Sequence, residues 1–551
     1  MPKNNNNSNK QIPKEVEIPN LNLISLFRKN VEKNQNKPAL YFKGKIKTYK
    51  KIEEEVNRLS NSLQDIGIKK QDRVAVLLPN CPQFYTTFLA VQSLGAIFVS
   101  FNPLYAPREI IQLLNDCQPK AMITLDIFSE KIKSIQKEIN IENIIISSIA
   151  EELPSLKKYL YKIFKARKNP IIDNSLSYEK LIENGKNIKI KTKINPQDDI
   201  AVLQYTGGTT GEPKGAMLTH YNLVSQAVLL QKWKIGLESQ PKGQIKVAAV
   251  LPFSHIFGLT SSFIWPIIME AEIYLIPDPR KLLEIMNIIG KYKIHFLFGV
   301  PLLFQKLAAH KKIKKYDFSS IHVCCSGGEE LPDETVKLFE NKTNCLLIEG
   351  YGLTEASPVS HINPPNRFDR KIGSIGIPIP NTYAKIVKPD TNEEITDYNK
   401  KGELWVKGPG IMKGYWKNEK ATNEAISKGW LKTGDVACKD ETGYYKIVDR
   451  LKDVIIVSGF NVWPNEVEKI LKSHPSIMDT AVISEKTSKG IIVKAILVKK
   501  DNCEEISLDE IREFCKKYLA PYKVPKIIEY TSEIPRSMVG KIMRRKLKNV
   551  K

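Results

Sequence analysis

Helix-like and strand-like segments alternate along the chain between Leu21 and Pro196. The amphipathic segment EEEVNRLSNSLQDIG precedes the apolar run RVAVLLP, and FYTTFLAVQSLG precedes AIFVSFNP. Parallel strands need a crossover connection, which is usually a helix, so this alternation predicts layers of helices on parallel sheets. The lysine-rich stretch from Asn140 to Asn195 lacks the pattern and is interpreted as a surface excursion.

The strand pattern resumes at VAAVLP, EIYLIP, IHFLFGVP, IHVCCSGG and CLLIEGYG. Short strands with turns between Lys371 and Tyr445 predict a small β-rich unit, and the chain after Arg450 reads as a smaller α+β unit. At 551 residues the chain is long enough for two or three domains. We predict a disordered N-terminal tail over 1–20, a large α/β domain of layered subdomains with a β-rich subdomain over 21–449, and a small α+β domain over 450–551.

Charge, cysteine spacing and the N-terminal sequence argue against several classes of protein. The formal net charge is +24, but lysine is spread along the chain without a basic block or a recognisable nucleic-acid-binding module, so we expect no nucleic-acid partner. No two of the eight cysteines have C-x-x-C spacing, which favours reduced thiols over a disulfide framework or a zinc site. The N-terminus lacks the apolar core of a signal peptide, and we expect a cytoplasmic protein.

The segment YTGGTTGEPKG (205–215) has the composition of a phosphate cradle. Glycines let successive N–H groups converge on an anion, threonines add hydroxyl donors, and the lysine adds a positive charge. The segment follows the strand-like IAVLQYT and precedes the helix-like LTHYNLVSQAVLL, so we expect the loop to join a strand to a helix. It is not a Walker A loop, because no Ser or Thr follows the lysine, and an ordinary polar turn is the alternative. The phosphate-binding candidates are Thr206, Gly207, Gly208, Thr209, Thr210, Gly211 and Lys214.

Six segments taken together resemble the adenylate-forming superfamily of acyl-CoA synthetases, luciferases and peptide-synthetase adenylation domains. Within that superfamily, FNPLYAPRE (101–109) and GVPLLFQKL (299–307) make the chain most similar to long-chain fatty acyl-CoA synthetases. The resemblance covers nearly the whole chain from about Leu21. The six segments are YTGGTTGEPKG (205–215), LPFSHIFG (251–258), CSGGEEL (325–331), EGYGLTEASP (349–358), TGD (433–435) with VDRLKDVIIVSGFNVWPNEVE (448–468), and PRSMVGKIMRRKL (535–547).

The resemblance implies an enzyme that uses ATP, with Mg²⁺, to activate a fatty acid. An acyl-adenylate and pyrophosphate form first, and the acyl group then passes to the thiol of coenzyme A. Three alternatives stay open: a CoA ligase for an aryl or shorter-chain acid, transfer of the acyl group to a carrier protein, and a nucleotide-binding protein that has lost catalysis. A homodimer and peripheral contact with a membrane are also open.

The resemblance assigns the reacting groups. Glu355 becomes the Mg²⁺ ligand, together with Thr210, and Thr354 contacts phosphate. Lys541 would bridge the substrate carboxylate and the α-phosphate, and His255 would lie beside the carboxylate. Hard cations prefer oxygen ligands, and an ammonium between two anions lowers their repulsion. Taken singly, a lysine in a lysine-rich chain or a buried structural histidine would be the alternative interpretation.

The resemblance also assigns the adenosine, CoA and acyl sites. Tyr351 would stack on adenine, Asp435 would accept hydrogen bonds from the ribose hydroxyls with Arg450 assisting, and Lys452 would be the hinge on which the small domain turns. We expect the hinge and Lys541 at opposite ends of the small domain. The remaining candidates are Gly327, Gly328, Glu329 and Gly352 for adenine, Ser458, Gly459 and Phe460 for CoA, and Phe253, Phe257, Phe263, Leu302 and Phe304 for the acyl tunnel.

Overall fold

The computed structural model describes residues 12–164, 172–206, 213–233, 236–237, 239–457, 460–487, 490–537 and 540–548. The elements of the first part are α1 (Leu23–Asn34), β1 (Pro38–Phe42), β2 (Lys45–Thr48), α2 (Tyr49–Asp65), β3 (Arg73–Leu77), α3 (Pro82–Ser93), β4 (Ile97–Ser100), α4 (Pro107–Cys117), β5 (Ala121–Leu125), α5 (Ser129–Ile135), β6 (Asn143–Ser147), α6 (Ser155–Phe164), β7 (Leu176–Ser177), α7 (Tyr178–Asn184) and β8 (Ile200–Thr206).

The middle part of the chain continues the alternation. Its elements are β9 (Lys214–Thr219), α8 (His220–Trp233), β10 (Lys246–Ala249), α9 (Ile256–Leu259), α10 (Trp265–Ile268), β11 (Glu272–Leu275), α11 (Leu282–Tyr292), β12 (Phe296–Gly299), α12 (Pro301–Ala309), β13 (Val323–Ser326), α13 (Asp333–Thr343), β14 (Leu347–Gly352), β15 (Val359–Ile362) and β16 (Ile377–Pro378).

The last part is richer in antiparallel strands. Its elements are β17 (Tyr383–Val387), β18 (Gly402–Lys407), β19 (Gly414–Tyr415), α14 (Glu419–Ala425), β20 (Ile426–Ser427), β21 (Trp430–Lys439), β22 (Tyr445–Arg450), β23 (Ile455–Val457), β24 (Phe460–Val462), α15 (Pro464–Lys472), β25 (Ile477–Thr487), β26 (Gly490–Lys499), α16 (Leu508–Lys516), β27 (Ile527–Tyr530) and α17 (Arg544–Lys548).

Two large sheets form the body of the molecule. One has the strand order β19-β9-β8-β4-β3-β5-β6-β7, and the other has the order β16-β15-β14-β13-β12-β10-β11-β1-β2. Their central strands pair in parallel, for example β3 with β4 and β12 with β13, as the alternating sequence pattern predicts. Strands β6 and β7 lie within the stretch interpreted as a surface excursion, so that interpretation is wrong: the stretch extends the first sheet.

A layer of aromatic side chains lies between the two sheets. Helix α3 is buried along its whole length and packs on α1, α2 and β4. Phe88 of α3 lies 5.0 Å from Phe98 of β4 and 4.8 Å from Phe263, measured between ring centroids, and Phe84 contacts Phe98 and Phe253. The cluster of buried side chains that contains this layer also contains strands of both sheets, so the layer belongs to one core that the two sheets share.

One turn of π-helix lies between α9 and α10, over Thr260–Ile264. His255 caps α9, since its Nδ1 accepts a hydrogen bond from the Phe257 N–H at 3.2 Å. The Thr260 hydroxyl donates to the Ser357 carbonyl at 3.0 Å. The helical segment is therefore anchored to the chain that follows Glu355.

The remaining strands form smaller units. Strands β17, β18, β20, β21 and β22 make the β-rich unit, and β25, β26 and β27 form the sheet of the small C-terminal unit with α15 and α16.

Residues 12–20 pack on the large domain, where the Val16 N–H donates to Asn381 at 2.7 Å and Asn381 donates back to the Val16 carbonyl at 2.9 Å. The expected disordered tail is thus wrong for these residues. Within the described ranges, no helix has the length and apolar character needed to cross a bilayer.

We expect Phe88→Ala to destabilise the large domain by about 3–5 kcal/mol, because it leaves a cavity that its aromatic neighbours cannot fill. The matched control is Phe368→Ala, whose side chain is 89% exposed and whose loss should change stability by less than about 0.5 kcal/mol. Thermal and urea unfolding of both variants measure the difference. Equal stability of the two variants would contradict the enclosed aromatic layer.

Candidate functional site

Tyr351, Asp435 and Arg450 come together from three strands. The Tyr351 hydroxyl donates to Oδ2 of Asp435 at 2.5 Å, and Nε of Arg450 lies 3.6 Å from Oδ1 of Asp435. Asp435 and Arg450 are direct partners in the β21–β22 ladder, so the backbone register sets their separation. Burial, together with the Asp435 carboxylate, raises the pKa of Tyr351 well above its usual value, which keeps the phenol a hydrogen-bond donor.

Glycine is needed beside this cluster for two reasons, either because a side chain would not fit or because the backbone has a positive φ. A Cβ at Gly352 would lie 1.9 Å from the Pro358 carbonyl oxygen, so the packing of β14 excludes any side chain there. A Cβ at Gly327 would lie 3.1 Å from both the Gly350 carbonyl oxygen and the Phe257 ring. Gly328 follows with φ of +94°, a conformation that favours glycine.

Glu355 lies on a single turn of 3₁₀-helix that follows β14, over Thr354–Ala356. Its Oε1 accepts a hydrogen bond from the Tyr415 hydroxyl at 2.7 Å, and its carbonyl accepts one from the Met412 N–H at 2.8 Å. The Lys214 ammonium lies 5.3 Å from the centre of the Tyr415 ring. Tyr415 therefore contacts both the Glu355 carboxylate and Lys214, the lysine near the end of the glycine-rich segment. Sequence reasoning did not single out Tyr415, because no local pattern marks it.

The glycine-rich segment connects two antiparallel strands. Thr206 of β8 pairs with Lys214 of β9, and the ladder continues to Ile200 and Thr219. The expectation that the loop leads directly into a helix is wrong, since α8 begins only at His220. The candidates Gly207, Gly208, Thr209, Thr210 and Gly211 lie outside the described residues.

Tyr351, Asp435, Arg450 and Glu355 lie at the cleft between the large domain and the small C-terminal unit. Lys541 extends towards these residues from the small unit. Burial and the positive charge of Arg450 lower the pKa of Lys541 to about 8, against the opposing attraction of three carboxylates, those of Asp435, Glu355 and Glu329. The ammonium thus lies in the field of both the Tyr351–Asp435 pair and Glu355. An incoming anion would restore the ordinary pKa of this group, because it would offset the cost of burying the charge.

His255 lies near Lys541. Burial and the Lys541 charge lower the pKa of His255 to about 4, so the imidazole is neutral near pH 7. Because Nδ1 accepts the Phe257 N–H, the neutral ring carries its proton on Nε2. That N–H is a donor suited to a carboxylate oxygen.

The residues predicted to line the acyl tunnel lie in separate parts of the large domain. Phe253 and Phe263 are buried and in contact, with ring centroids 5.2 Å apart, and Phe257 lies beside Gly327. Phe304 packs on Phe339 in the core between α12 and α13, in a different cluster of buried side chains. Leu302 is 41% exposed and shares the solvent face of α12 with its exposed neighbours at positions 305 and 306. Leu302 therefore lies on the exposed face of α12, and Phe304 lies apart from the other phenylalanines; the tunnel role of both stays a prediction.

The hinge candidate Lys452 lies on a short 3₁₀ turn after β22, over Leu451–Asp453. Burial and Arg450 lower the pKa of Lys452, while Asp453, Asp435 and Glu355 act in the opposite direction. Nη1 of Arg544 lies 3.4 Å from Oδ2 of Asp453, so the hinge segment and the segment that follows Lys541 are neighbours. The expectation that they lie at opposite ends of the small domain is wrong: they are distant only in sequence.

The CoA candidate Phe460 begins β24 and stacks on Tyr522 with a centroid distance of 4.7 Å and an interplanar angle of 21°. Its ring is more than half exposed, which leaves one face open to a planar ligand. Ser458 and Gly459 lie outside the described residues.

The acidic side chains near the cleft fit a Mg²⁺ ion that is bound mainly by its nucleotide. Among the described residues, no group of three or more His, Cys, Asp or Glu side chains is arranged to hold a metal ion. Magnesium commonly takes one or two carboxylates and fills its remaining positions with substrate phosphates and water. The Glu355 carboxylate, which accepts a hydrogen bond from Tyr415, is of the kind that such an ion would take.

Comparison with known proteins gives consistent matches along the chain. The profile of the AMP-binding enzyme family matches residues 27–416, and that of the AMP-binding enzyme C-terminal domain matches residues 466–541. A long-chain-fatty-acid–CoA ligase of Bacillus subtilis is 40% identical over 547 residues, which cover 97% of this chain and 96% of that protein. A long-chain-fatty-acid–CoA ligase of Escherichia coli is 36% identical over 538 residues, which cover 96% and 94%.

Solved structures share the same architecture. The anthranilate CoA ligase AuaEII in complex with anthranoyl-AMP aligns with a TM-score of 0.83 and 26% identity, covering 96% of this chain and 97% of that one. ATP-bound MatB from Rhodopseudomonas palustris aligns with a TM-score of 0.82 and 25% identity, covering 96% and 98%. With both family profiles matched in order and full-length relatives above 30% identity, this chain belongs to the AMP-binding family of adenylate-forming enzymes.

Proposed function

We propose that this enzyme activates a long-chain fatty acid with ATP and transfers the acyl group to coenzyme A. The observation that carries the proposal is the cluster in which Tyr351 is hydrogen-bonded to Asp435 and Arg450 is paired with it. Together with Glu355, these charges act on the buried Lys541 ammonium, which in turn acts on the neutral His255. The choice of acid rests on the full-length similarity to long-chain-fatty-acid–CoA ligases.

In the first half-reaction, a fatty-acid carboxylate oxygen attacks the α-phosphorus of ATP, and pyrophosphate leaves with its electron pair. His255 donates its Nε2 proton in a hydrogen bond to the carboxylate and holds it in place. The Lys541 ammonium lies between the carboxylate and the α-phosphate and lowers the repulsion as the two anions approach. Lys214 and Thr354, with Thr206 and the loop that follows it, bind the outer phosphates.

Tyr351, Asp435 and Arg450 hold the adenosine. The Asp435 carboxylate accepts hydrogen bonds from the ribose hydroxyls, and Tyr351 provides the aromatic surface for adenine, next to Gly327, Gly328, Glu329 and Gly352. A Mg²⁺ ion held by Glu355 and Thr210 would offset phosphate charge when ATP is bound.

In the second half-reaction, the CoA thiolate attacks the acyl carbonyl carbon, and AMP leaves. The small domain turns about Lys452, which withdraws Lys541 and brings Ser458, Gly459 and Phe460 to the acyl-adenylate. A hinge confined to a few residues at the end of a strand permits such a rotation. Phe253 and Phe257 flank His255 in the sequence, and Phe263 packs on Phe253, so we assign these three side chains to the acyl site.

We expect Lys541→Ala to slow acyl-adenylate formation by about 100-fold or more, because a preorganised charge at the reacting phosphate is lost. Transfer of a supplied acyl-adenylate to CoA should stay near the wild-type rate. Single-turnover assays of each half-reaction measure the two effects, and Lys546→Ala, at an exposed position of α17, is the matched control. Equal losses in both half-reactions by a folded Lys541→Ala enzyme would contradict the assigned role.

The pH dependence follows from the lowered pKa of Lys541. The protonated amine is the active form, so kcat/KM for pyrophosphate release should fall as the pH rises through about 8, where the free enzyme loses that proton. His255 should add no inflection between pH 6 and 9, since its pKa is about 4. Lys541→Arg should move the descending limb to higher pH, because a guanidinium stays protonated. A limb at the same pH in both enzymes would assign it to another group.

The choice of acid is tested with a panel of substrates. Each methylene buried in an apolar site contributes up to about 0.8 kcal/mol, so kcat/KM should rise steeply from acetate through octanoate to palmitate. Anthranilate is the aromatic comparison, because an anthranilate CoA ligase shares the fold. Preference for acetate or for an aromatic acid would replace the proposed substrate while leaving the adenylate-forming chemistry in place.

A further inference from the structure

Arg536 joins the two domains that form the cleft. Its Nη1 donates to Oε1 of Glu329 in the large domain at 3.2 Å. Its Nη2 donates to both carboxylate oxygens of Asp479 on β25 of the small unit, at 3.1 Å and 2.9 Å. One guanidinium therefore bridges carboxylates on opposite sides of the domain boundary.

The same side chain supports the turn that carries Lys541. Nη1 of Arg536 also donates to the Gly540 carbonyl at 2.8 Å. Within the turn, the Ser537 N–H donates to the Lys541 carbonyl at 2.8 Å, and the Lys541 N–H donates to the Ser537 hydroxyl at 3.1 Å. Because Arg536 is hydrogen-bonded to the residue before Lys541, a displacement of Arg536 would also displace the backbone that carries the Lys541 side chain.

The turn fits closely against Glu329. Gly540 has φ of +87°, and a Cβ at this position would lie 2.7 Å from Oε2 of Glu329. The side chains of Arg536 and Glu329 are 25% and 20% exposed, so solvent screens their attraction only in part. Burial raises the pKa of Glu329, and the charges of Arg536, Lys472 and Lys541 act against that change.

Arginine is suited to this position in a way that lysine is not. Its planar fork donates to two carboxylates and a carbonyl oxygen at once, whereas an ammonium presents its donors from a single point. Asp479 and the Gly540 carbonyl belong to the same unit as Arg536 and would keep their contacts if the small domain turned. The Glu329 contact would be broken by such a rotation.

We propose that Arg536 is a positioning residue for acyl-adenylate formation, which holds the turn of Lys541 in the cleft by pairing with Glu329 across the domain boundary. The inference rests on the proposed function, because it concerns one of its two half-reactions. It predicts that the ion pair favours the first half-reaction and has no part in the chemistry of the second.

The test is a single-turnover comparison of full-length Arg536→Gln with wild type. We expect acyl-adenylate formation from ATP and palmitate to fall about tenfold or more, because a charge-assisted hydrogen bond that positions the turn is lost. Transfer of supplied palmitoyl-adenylate to CoA should stay at or above the wild-type rate. Arg512→Gln is the matched control, since Arg512 pairs with Asp509 of its own helix, and it should change neither rate.

A double-mutant cycle with Glu329→Gln isolates the pair. If Arg536 acts through Glu329, the double variant should form acyl-adenylate no more than about twofold slower than the slower single variant. Multiplicative losses would overturn the pairing. Equal losses in both half-reactions by folded Arg536→Gln, or an unchanged rate of acyl-adenylate formation, would overturn the positioning role.

The wild-type enzyme separates this proposal from the proposed function. Failure of wild type to form palmitoyl-adenylate would refute the proposed substrate, and the same ratios would then be measured with the acid that the panel identifies. Normal wild-type activity with an unaffected Arg536→Gln variant would refute the positioning role alone.

Discussion

The arrangement of charge in the cleft is the constraint on which the other features depend. Arg450 repels both Lys541 and Lys452, and this repulsion, together with burial, lowers the pKa values of both lysines. Asp435 and Glu355 offset this repulsion only in part. The cleft is therefore built for a ligand of high negative charge, which a nucleotide triphosphate together with a carboxylate supplies.

The groups that bear these charges are fixed to very different degrees. Asp435 and Arg450 are held by strand register, and Glu355 is held by Tyr415. Lys541 stands on a turn of the small unit, which reaches the large domain through the Arg536–Glu329 pair. The part of the site on the large domain is therefore rigid, whereas the part on the small unit can move away. Two successive reactions at one site require such an arrangement.

The elements that sequence reasoning identified are those with a local signature. Alternating amphipathic and apolar segments predicted the parallel sheets, because crossover geometry imposes that order on the chain. Strand β9 was missed, since a short run that contains Gly215 lacks a strand-like pattern of its own and becomes a strand by pairing with the preceding β8. The family motifs named Lys541, Glu355 and His255. Tyr415 lies outside the six segments, and Arg536 lies inside the last one without an assigned role, because these two residues act through partners 60 and 207 residues away in the chain. The exposure of Leu302 could not be predicted, because the sequence does not reveal which way an apolar residue of a helix faces until the helix is packed.

The π turn at Thr260–Ile264 has an evolutionary consequence. A π turn contains one residue more than an α-helical turn of the same span, and one residue corresponds to a rotation of about 100° around a helix axis. The end of the segment that bears His255 is therefore out of phase with the end that bears Trp265, which stays buried against Phe296 and Phe298. Gain or loss of a single residue in the π turn would re-aim several side chains beside the cleft in one genetic event, a short route by which enzymes of this fold could diverge in the acids they accept.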